Sequence, residues 1–224
     1  MITGRQGGKK LSHQERDHCI RCGTCCLKGG PVLHHEDKRL LRDGHIGYQN
    51  LVTIRKGERA YDPFTDTVKP VAQELIKVRG AGKEWSCCFY DPQHSACTIY
   101  EHRFFECRLL NCWDPAPLVD AAGKNTITRA DIINAHDPIL EVIAMHEQVC
   151  PYDEVEELLA GLSREEEKAE VKARLNDLVR KDLAIREYAL SELGLRGEFE
   201  LFIFGRPLFK VLGAITSAGA LLPR

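Results

Sequence analysis

The cysteines of this chain limit most strongly what it can fold into. The sequence has 224 residues and ten cysteines, nine of them in two blocks: Cys19, Cys22, Cys25 and Cys26, then Cys87, Cys88, Cys97, Cys107 and Cys112. Ten is too few for a disulfide scaffold. The first twenty residues carry charges and no apolar core, so we expect no export signal and a cytoplasmic protein. Clustered thiols in a reducing compartment predict a bound metal.

The spacing of the first block has a mechanical reason. Two residues between ligands let the chain turn so that both sulfurs point at one ion, and Gly23 lies where such a turn often needs positive φ. The adjacent Cys25 and Cys26 should diverge, because neighbouring side chains point apart. We therefore expect a second site, a shared cluster or one cysteine that is not a ligand.

The second block supplies remote candidates. Cys88, Cys97, Cys107 and Cys112 stand at longer intervals, and Trp85 and Trp113 beside this block are expected to shield it from water. The role of Cys87 stays open, because on a strand it would point away from its neighbour Cys88. The role of Cys150 stays open too.

The type of metal is not fixed by these residues. Zinc takes four ligands, so eight thiols mean two zinc sites or several spectators. Three cysteines spaced C-x-x-C-x-x-C, with a remote Cys150-Pro151 pair, are also typical of iron–sulfur proteins. Zinc, iron and a [4Fe-4S] cluster all remain open as the cofactor.

The order and spacing of eight cysteines resemble those of the CxxCxxCC cysteine-cluster family, which is described as zinc- or iron-chelating. The resemblance covers roughly residues 15–115 and rests on Cys19-x-x-Cys22-Gly23-x-Cys25-Cys26, Cys88-Phe89-Tyr90, Cys97-Thr98-Ile99-Tyr100-Glu101-x-Arg103, Cys107-Arg108 and Cys112. It implies metal binding by these eight cysteines. The family usually has proline where Phe104 stands, which puts the local turn in doubt but not the thiols. Some flagellin lysine methylases look similar in this part.

The remaining pattern predicts an α+β, mostly α protein. We expect an irregular, metal-stabilised cysteine-rich module over residues 12–115, with short β elements such as 51–54, 67–68 and 85–90, and a helical extension over residues 120–224. Capping pairs predict helix starts at Ser12, Thr128 and Ser163, and Gly44 should end a short helix. Residues 199–204 alternate enough for a strand or a docking segment.

Charge and hydropathy exclude several functions. The formal net charge is −2, so we expect no general affinity for nucleic acid, and no apolar run reaches the roughly 18 residues that a membrane span needs. The leading prediction is a metal-binding protein whose partner is the metal ion. The alternatives are a metal-dependent enzyme, redox or methylase-like, and an interaction adaptor with a structural zinc. Substrate, protein partner and oligomeric state stay open.

Overall fold

The computed structural model describes Asp17 and residues 19–82, 84–162 and 168–217. It is an α+β protein in which short two-stranded sheets come first and helices follow. The capping pairs predicted at Ser12 and Ser163 lie outside the described residues.

The strands form small antiparallel pairs because the sequence between them is punctuated by turns. Their bounds are β1 Leu51–Ile54, β2 Arg59–Asp62, β3 Thr67–Pro70, β4 Leu75–Val78, β5 Gly80–Ala81, β6 Ser86–Cys87, β7 Tyr90–Asp91 and β8 Ala96–Cys97. They pair as β1–β4, β2–β3, β5–β6 and β7–β8. The strands predicted at 51–54 and 67–68 are confirmed, and residues 75–78, which suited a strand or a helical turn, form β4.

The helices are mostly short. Their bounds are α1 Thr24–Leu27, α2 Lys38–Arg42, α3 Phe105–Leu109, α4 Ala116–Ala121, α5 Ile139–Val149, α6 Tyr152–Gly161, α7 Lys168–Ser191, α8 Glu200–Phe204 and α9 Leu208–Ser217. The predicted helix end is confirmed, since Gly44 has φ +75° two residues beyond α2. The predicted capping pair of Thr128 and Asp131 forms, but it caps only the 3₁₀ turn Arg129–Asp131, and the next helix, α5, begins at Ile139.

The main hydrophobic core draws residues from both parts of the sequence. Leu33, Leu51 and Phe104 pack in one buried cluster with Ile143 and Phe204. A smaller cluster holds Cys150, Val155, Leu178 and Leu208 between the helices. The division into domains at residues 115–120 stays a prediction.

Residues 199–204 do not form a strand. They continue from a 3₁₀ turn into α8, whose Phe202, Ile203 and Phe204 are buried. The reason is not local. The carbonyl of Phe202 accepts from the Thr53 hydroxyl, that of Ile203 from Arg129, and those of Phe204 and Gly205 from Arg186. Side chains from distant segments therefore cap the end of this short helix, where cations suit the helix dipole.

The helices are joined by a buried polar pair. His146 of α5 and Asp182 of α7 are both 0% exposed, and Nε2 of His146 lies 2.7 Å from Oδ1 of Asp182. Arg186 and the Leu208 amide also donate to this carboxylate. Among the described residues, no helix combines the length and the apolar character that crossing a membrane requires.

Candidate metal centre

The first cysteine block folds as a tight loop that leads into α1. Gly23 stands at the N-cap of α1 with φ +75°, the conformation that the sequence predicted for it. A Cβ at Gly23 would lie 2.5 Å from the Tyr90 ring. Glycine is therefore needed twice here, for the left-handed backbone and for the close approach of Tyr90. This contact holds the loop against the β7–β8 hairpin.

Seven of the eight predicted ligands line one cavity. It has a volume of about 70 Å³, and its thiols come from Cys19, Cys22, Cys25, Cys26, Cys97, Cys107 and Cys112. The first block, β8, α3 and the loop after α3 each contribute. The rest of the wall is mainly apolar and includes Ile20, Leu110 and Trp113, as expected for the tryptophan; Trp85 is not part of the wall. Sulfurs far apart in sequence thus meet at one surface.

The adjacent pair in the first block corrects one expectation. The sulfurs of Cys25 and Cys26 lie 4.0 Å apart, so the prediction that they diverge is wrong. The two residues sit in α1, where the helical turn rotates both side chains toward the cavity side. Tetrahedral thiolates around zinc, with bonds of about 2.3 Å, are separated by about 3.8 Å. The observed separation is slightly longer, so the two thiols are close enough to share a ligand cluster or to belong to two adjoining sites.

The electrostatics of the pair are asymmetric. The hydrogen bond with Cys26 lowers the pKa of Cys25 to about 6, and the Arg103 guanidinium acts in the same direction. The same contact, with burial, raises the pKa of Cys26. Burial raises the pKa of Cys97 and of Cys107. Without a cation, the deeper thiols therefore hold their protons, and Cys25 gives up its proton most readily.

Cationic side chains flank the cavity. The guanidinium groups of Arg21 and Arg103 both stack on the Tyr100 ring, 3.9 and 4.0 Å from its centre, and all three residues line the cavity. Arg108 does not line it; its guanidinium donates to the Arg103 carbonyl at 2.6 Å. Arg21 and Arg103 can offset the negative charge that thiolates bring, and Arg108 holds the backbone of Arg103.

Two carboxylates, the buried one of Asp37 and the half-buried one of Glu106, anchor helix α3, which carries Cys107. Asp37 is 0% exposed and accepts from the amides of Phe105 and His34. Glu106 accepts from the Val32 amide at 2.9 Å and lies 3.2 Å from Nε2 of His34. Sequence reasoning missed this scaffold, since none of its residues belongs to the cysteine pattern.

The turn before α3 keeps its form without proline. Phe104 has φ −59°, within the range that a proline ring would impose, and its side chain is buried in the main core. Arg103 has ψ 144°, the extended value that a residue before proline adopts. The backbone of this turn therefore has angles that a proline at this position could also adopt.

Three cysteines do not line the cavity: Cys87, which is buried in the main core, Cys88 and Cys150. The thiol of Cys88 donates to the Asn50 carbonyl at 3.9 Å. Cys150 is 0% exposed in the smaller core, and its thiol donates to the Leu178 carbonyl at 3.7 Å. The remote Cys150-Pro151 pair is thus not part of this centre, which removes one argument for a ferredoxin-type cluster.

The thiols are gathered but not closed around a point. In the part of the chain that the structure describes, no three cysteine, histidine or acidic side chains converge closely enough to hold a metal ion. The donor set nevertheless suits a soft cation. Thiolates are preferred by zinc and by iron in iron–sulfur clusters. An ion would have to draw these sulfurs together, and four of the seven cysteines, Cys19, Cys22, Cys25 and Cys112, are exposed.

A thiol-lined cavity built on hairpins and turns is the hallmark of cysteine-ligated metal-binding domains. The comparison with known families agrees: the profile of the CxxCxxCC family, described as "Putative zinc- or iron-chelating domain", matches residues 18–131. The chain belongs to this family. No curated protein and no solved structure matches it.

Proposed function

We propose that this protein binds zinc or iron through the thiolates of the cavity. The observation that carries the proposal is that thiols from four separate segments line one cavity beside two arginines. A metal bound there would supply the charge that allows the deeper thiols to lose their protons. The proposal needs a reducing compartment such as the cytoplasm, because oxidised thiols do not ligate metal.

The residues around the thiols would tune this site. Arg21 and Arg103, held on Tyr100, would lower the cost of gathering several negative sulfurs. The apolar wall would limit water near the metal and strengthen these interactions. The carboxylates of Asp37 and Glu106 would keep α3 in place and with it Cys107.

We further propose that the metal can be exchanged, which makes the protein a chelating rather than a purely structural metal protein. The supporting observation is that Cys19, Cys22, Cys25 and Cys112 are exposed. A structural zinc site is normally closed on all sides. A competing chromophoric chelator should therefore remove at least part of the metal from the folded protein, and metal that resists it would favour an adaptor with a structural zinc.

Anaerobic purification followed by elemental analysis and an absorption spectrum tests the proposal. A brown protein that absorbs near ~400 nm and contains iron and sulfide holds a cluster. A colourless protein with stoichiometric zinc holds zinc. Protein that contains neither, and takes up neither when reduced and supplied with zinc or with iron and sulfide, would contradict metal binding.

A further inference from the structure

The two neighbouring cysteines in the second block face different surroundings. Cys87 is 7% exposed and is a member of the main buried core, against which Cys26, Cys88, Cys97 and Cys107 pack; it does not line the cavity. Cys88 turns its thiol toward the Asn50 carbonyl, and its amide donates to the carbonyl of Arg79. The thiol of the motif cysteine is therefore bonded to a backbone carbonyl, whereas the cysteine outside the motif is buried in the core that lies behind the other thiols.

The β5–β6 hairpin fixes this choice. Its register pairs Gly80 with Cys87 and Ala81 with Ser86. The Trp85 ring lies over Gly80 so closely that a Cβ there would collide with it. Because successive side chains alternate, the strand cannot turn Cys88 inward without turning Cys87 outward and moving the packed Trp85.

Helix α1 brings Cys26 to the same place. The structure packs α1 against β6, so the second cysteine of the adjacent pair meets the strand that carries Cys87. Cys26 is partly buried against the core that contains Cys87.

We propose that Cys87, and not Cys88, is a ligand, and that the centre consists of two sets of four thiols. The inner set is the less exposed one, Cys26, Cys87, Cys97 and Cys107; the outer set is the exposed one, Cys19, Cys22, Cys25 and Cys112. This rests on the proposed function. Cys25 and Cys26, with sulfurs 4.0 Å apart, join the two sets. Each set has the four ligands that one zinc ion or one iron–sulfur cluster takes.

The double variant C88S/C150S tests the assignment without touching Cys87. It keeps eight cysteines, Cys87 among them, and it can bind like the wild type only if neither Cys88 nor Cys150 is a ligand. We expect the full-length double variant to hold as much metal as the wild type. After replacement of the metal by Co²⁺, the sulfur-to-cobalt charge-transfer absorption, which counts thiolate ligands, should also be unchanged. A lower metal content or a weaker band in this variant would overturn the assignment.

The single variant C87S gives the complementary result. We expect it to lose about half of the bound metal, a roughly twofold drop, because the inner set then has three thiols. C88S is the matched control one residue away and should lose none. Full metal in C87S, or the same loss in C88S, would overturn the assignment while leaving metal binding intact. A wild type without metal would instead overturn the proposed function itself.

Discussion

Two regions of the molecule differ in how their polar groups are paired. The first is the thiol-lined cavity with its surroundings, here called the cysteine centre; the second is the set of buried side chains around helices α5, α7 and α8, here called the helical core. In the helical core, Arg55, Arg129 and Arg186 are buried, and each donates to a carboxylate and to a backbone carbonyl. Glu147 lies between Arg55 and Arg129, bonded to both. In the cysteine centre, the thiols face a shared cavity without closing on one another.

This difference separates structure from ligand binding. A buried charge with all its partners in the protein holds segments together and needs nothing from outside. Gathered thiols without partners contribute little by themselves and become strong ligands once deprotonated. The helical core should therefore be stable without a bound ligand, whereas the stability of the cysteine centre should depend on its metal.

The largest effect should follow from removing the metal. Binding to thiolates contributes about 10–16 kcal/mol in small domains, as much as the stability of a whole domain. Trp113 lines the cavity and Trp85 packs on Gly80 beside β6, whereas the long helices α5 and α7 dominate far-UV circular dichroism. A chelator should lower the unfolding midpoint by fluorescence more than that by circular dichroism, and added zinc or iron should restore it. Equal midpoints with and without chelator would remove the contrast between the regions.

The second largest effect should come from a drop in pH, which should destabilise the cysteine centre before the helical core. Each thiol that ligates as thiolate weakens metal binding by about 1.4 kcal/mol for each pH unit below its own pKa, or about 5–6 kcal/mol per unit for four thiols. Cys25, with its pKa lowered to about 6, joins this loss only below that pH. In the helical core, burial raises the pKa of Asp182, but His146 and Arg186 hold it below its ordinary value. The stabilisation that the Asp182 carboxylate contributes is therefore lost only in stronger acid. Metal content that stays flat down to about pH 5 would contradict the coupling.

Neutralising a buried carboxylate should damage the helical core without affecting the metal. D182N removes the fully buried one of the two carboxylates that pair with Arg186, and Glu200 remains as the other; breaking a buried pair costs about 3–5 kcal/mol. D177N on the same helix is the matched control, because Asp177 pairs with Lys181 at the surface and should change little. Urea unfolding measures both, and metal analysis should find both variants fully loaded. Equal unfolding midpoints for the two variants would show that burial does not matter here.

Two glycines with the same backbone compare the cysteine loop with an ordinary helix end. Gly23 and Gly44 both have φ +75°, but only Gly23 has a neighbour, the Tyr90 ring, within 4 Å. G44A should cost about 1–2 kcal/mol for the left-handed backbone. G23A should cost about 1–3 kcal/mol more for the overlap and should weaken metal binding. Thermal unfolding and metal titration check this, and equal losses would mean that Tyr90 moves aside freely.

What the sequence could predict in this molecule was mostly local. The spacing of the cysteines, the positive φ of Gly23 and the capping box at Thr128 depend on residues a few positions apart. The match of residues 18–131 confirms the family that the cysteine spacing indicated. The assignment of the metal ligands, in contrast, stays a proposal.

The features that the sequence could not predict depend on contacts between distant segments. The sequence predicts a strand or a docking segment over residues 199–204, whereas residues 200–204 form helix α8, whose caps come from the distant Thr53, Arg129 and Arg186. The approach of Cys25 to Cys26 required knowledge that α1 is helical. The directions of Cys87 and Cys88 required the position of the strand relative to α1, which no local pattern contains.

The smallest expected effect is on the pH dependence of stability. It compares one histidine from each region, His34 near the cysteine centre and His146 in the helical core. Burial alone would lower the pKa of His34, but Glu106 and Asp37 raise it above its ordinary value. Burial lowers the pKa of His146 in spite of Asp182. His34 therefore stabilises the fold at low pH, and this contribution is lost as the pH rises through its raised pKa. For His146 the unfolded chain takes up the proton first, so stability falls as the pH drops below about 6.5.

The two substitutions H34Q and H146Q should thus change the pH dependence in opposite directions. Relative to the wild type, H34Q loses stability mainly below about pH 6.5, whereas H146Q removes the decline on the acid side of that value. Chemical unfolding of the metal-saturated protein at closely spaced pH values measures both slopes. Slopes of the same sign would mean that Glu106 does not act as a charged partner of His34, and the anchor of α3 would then be a neutral hydrogen bond rather than an ion pair.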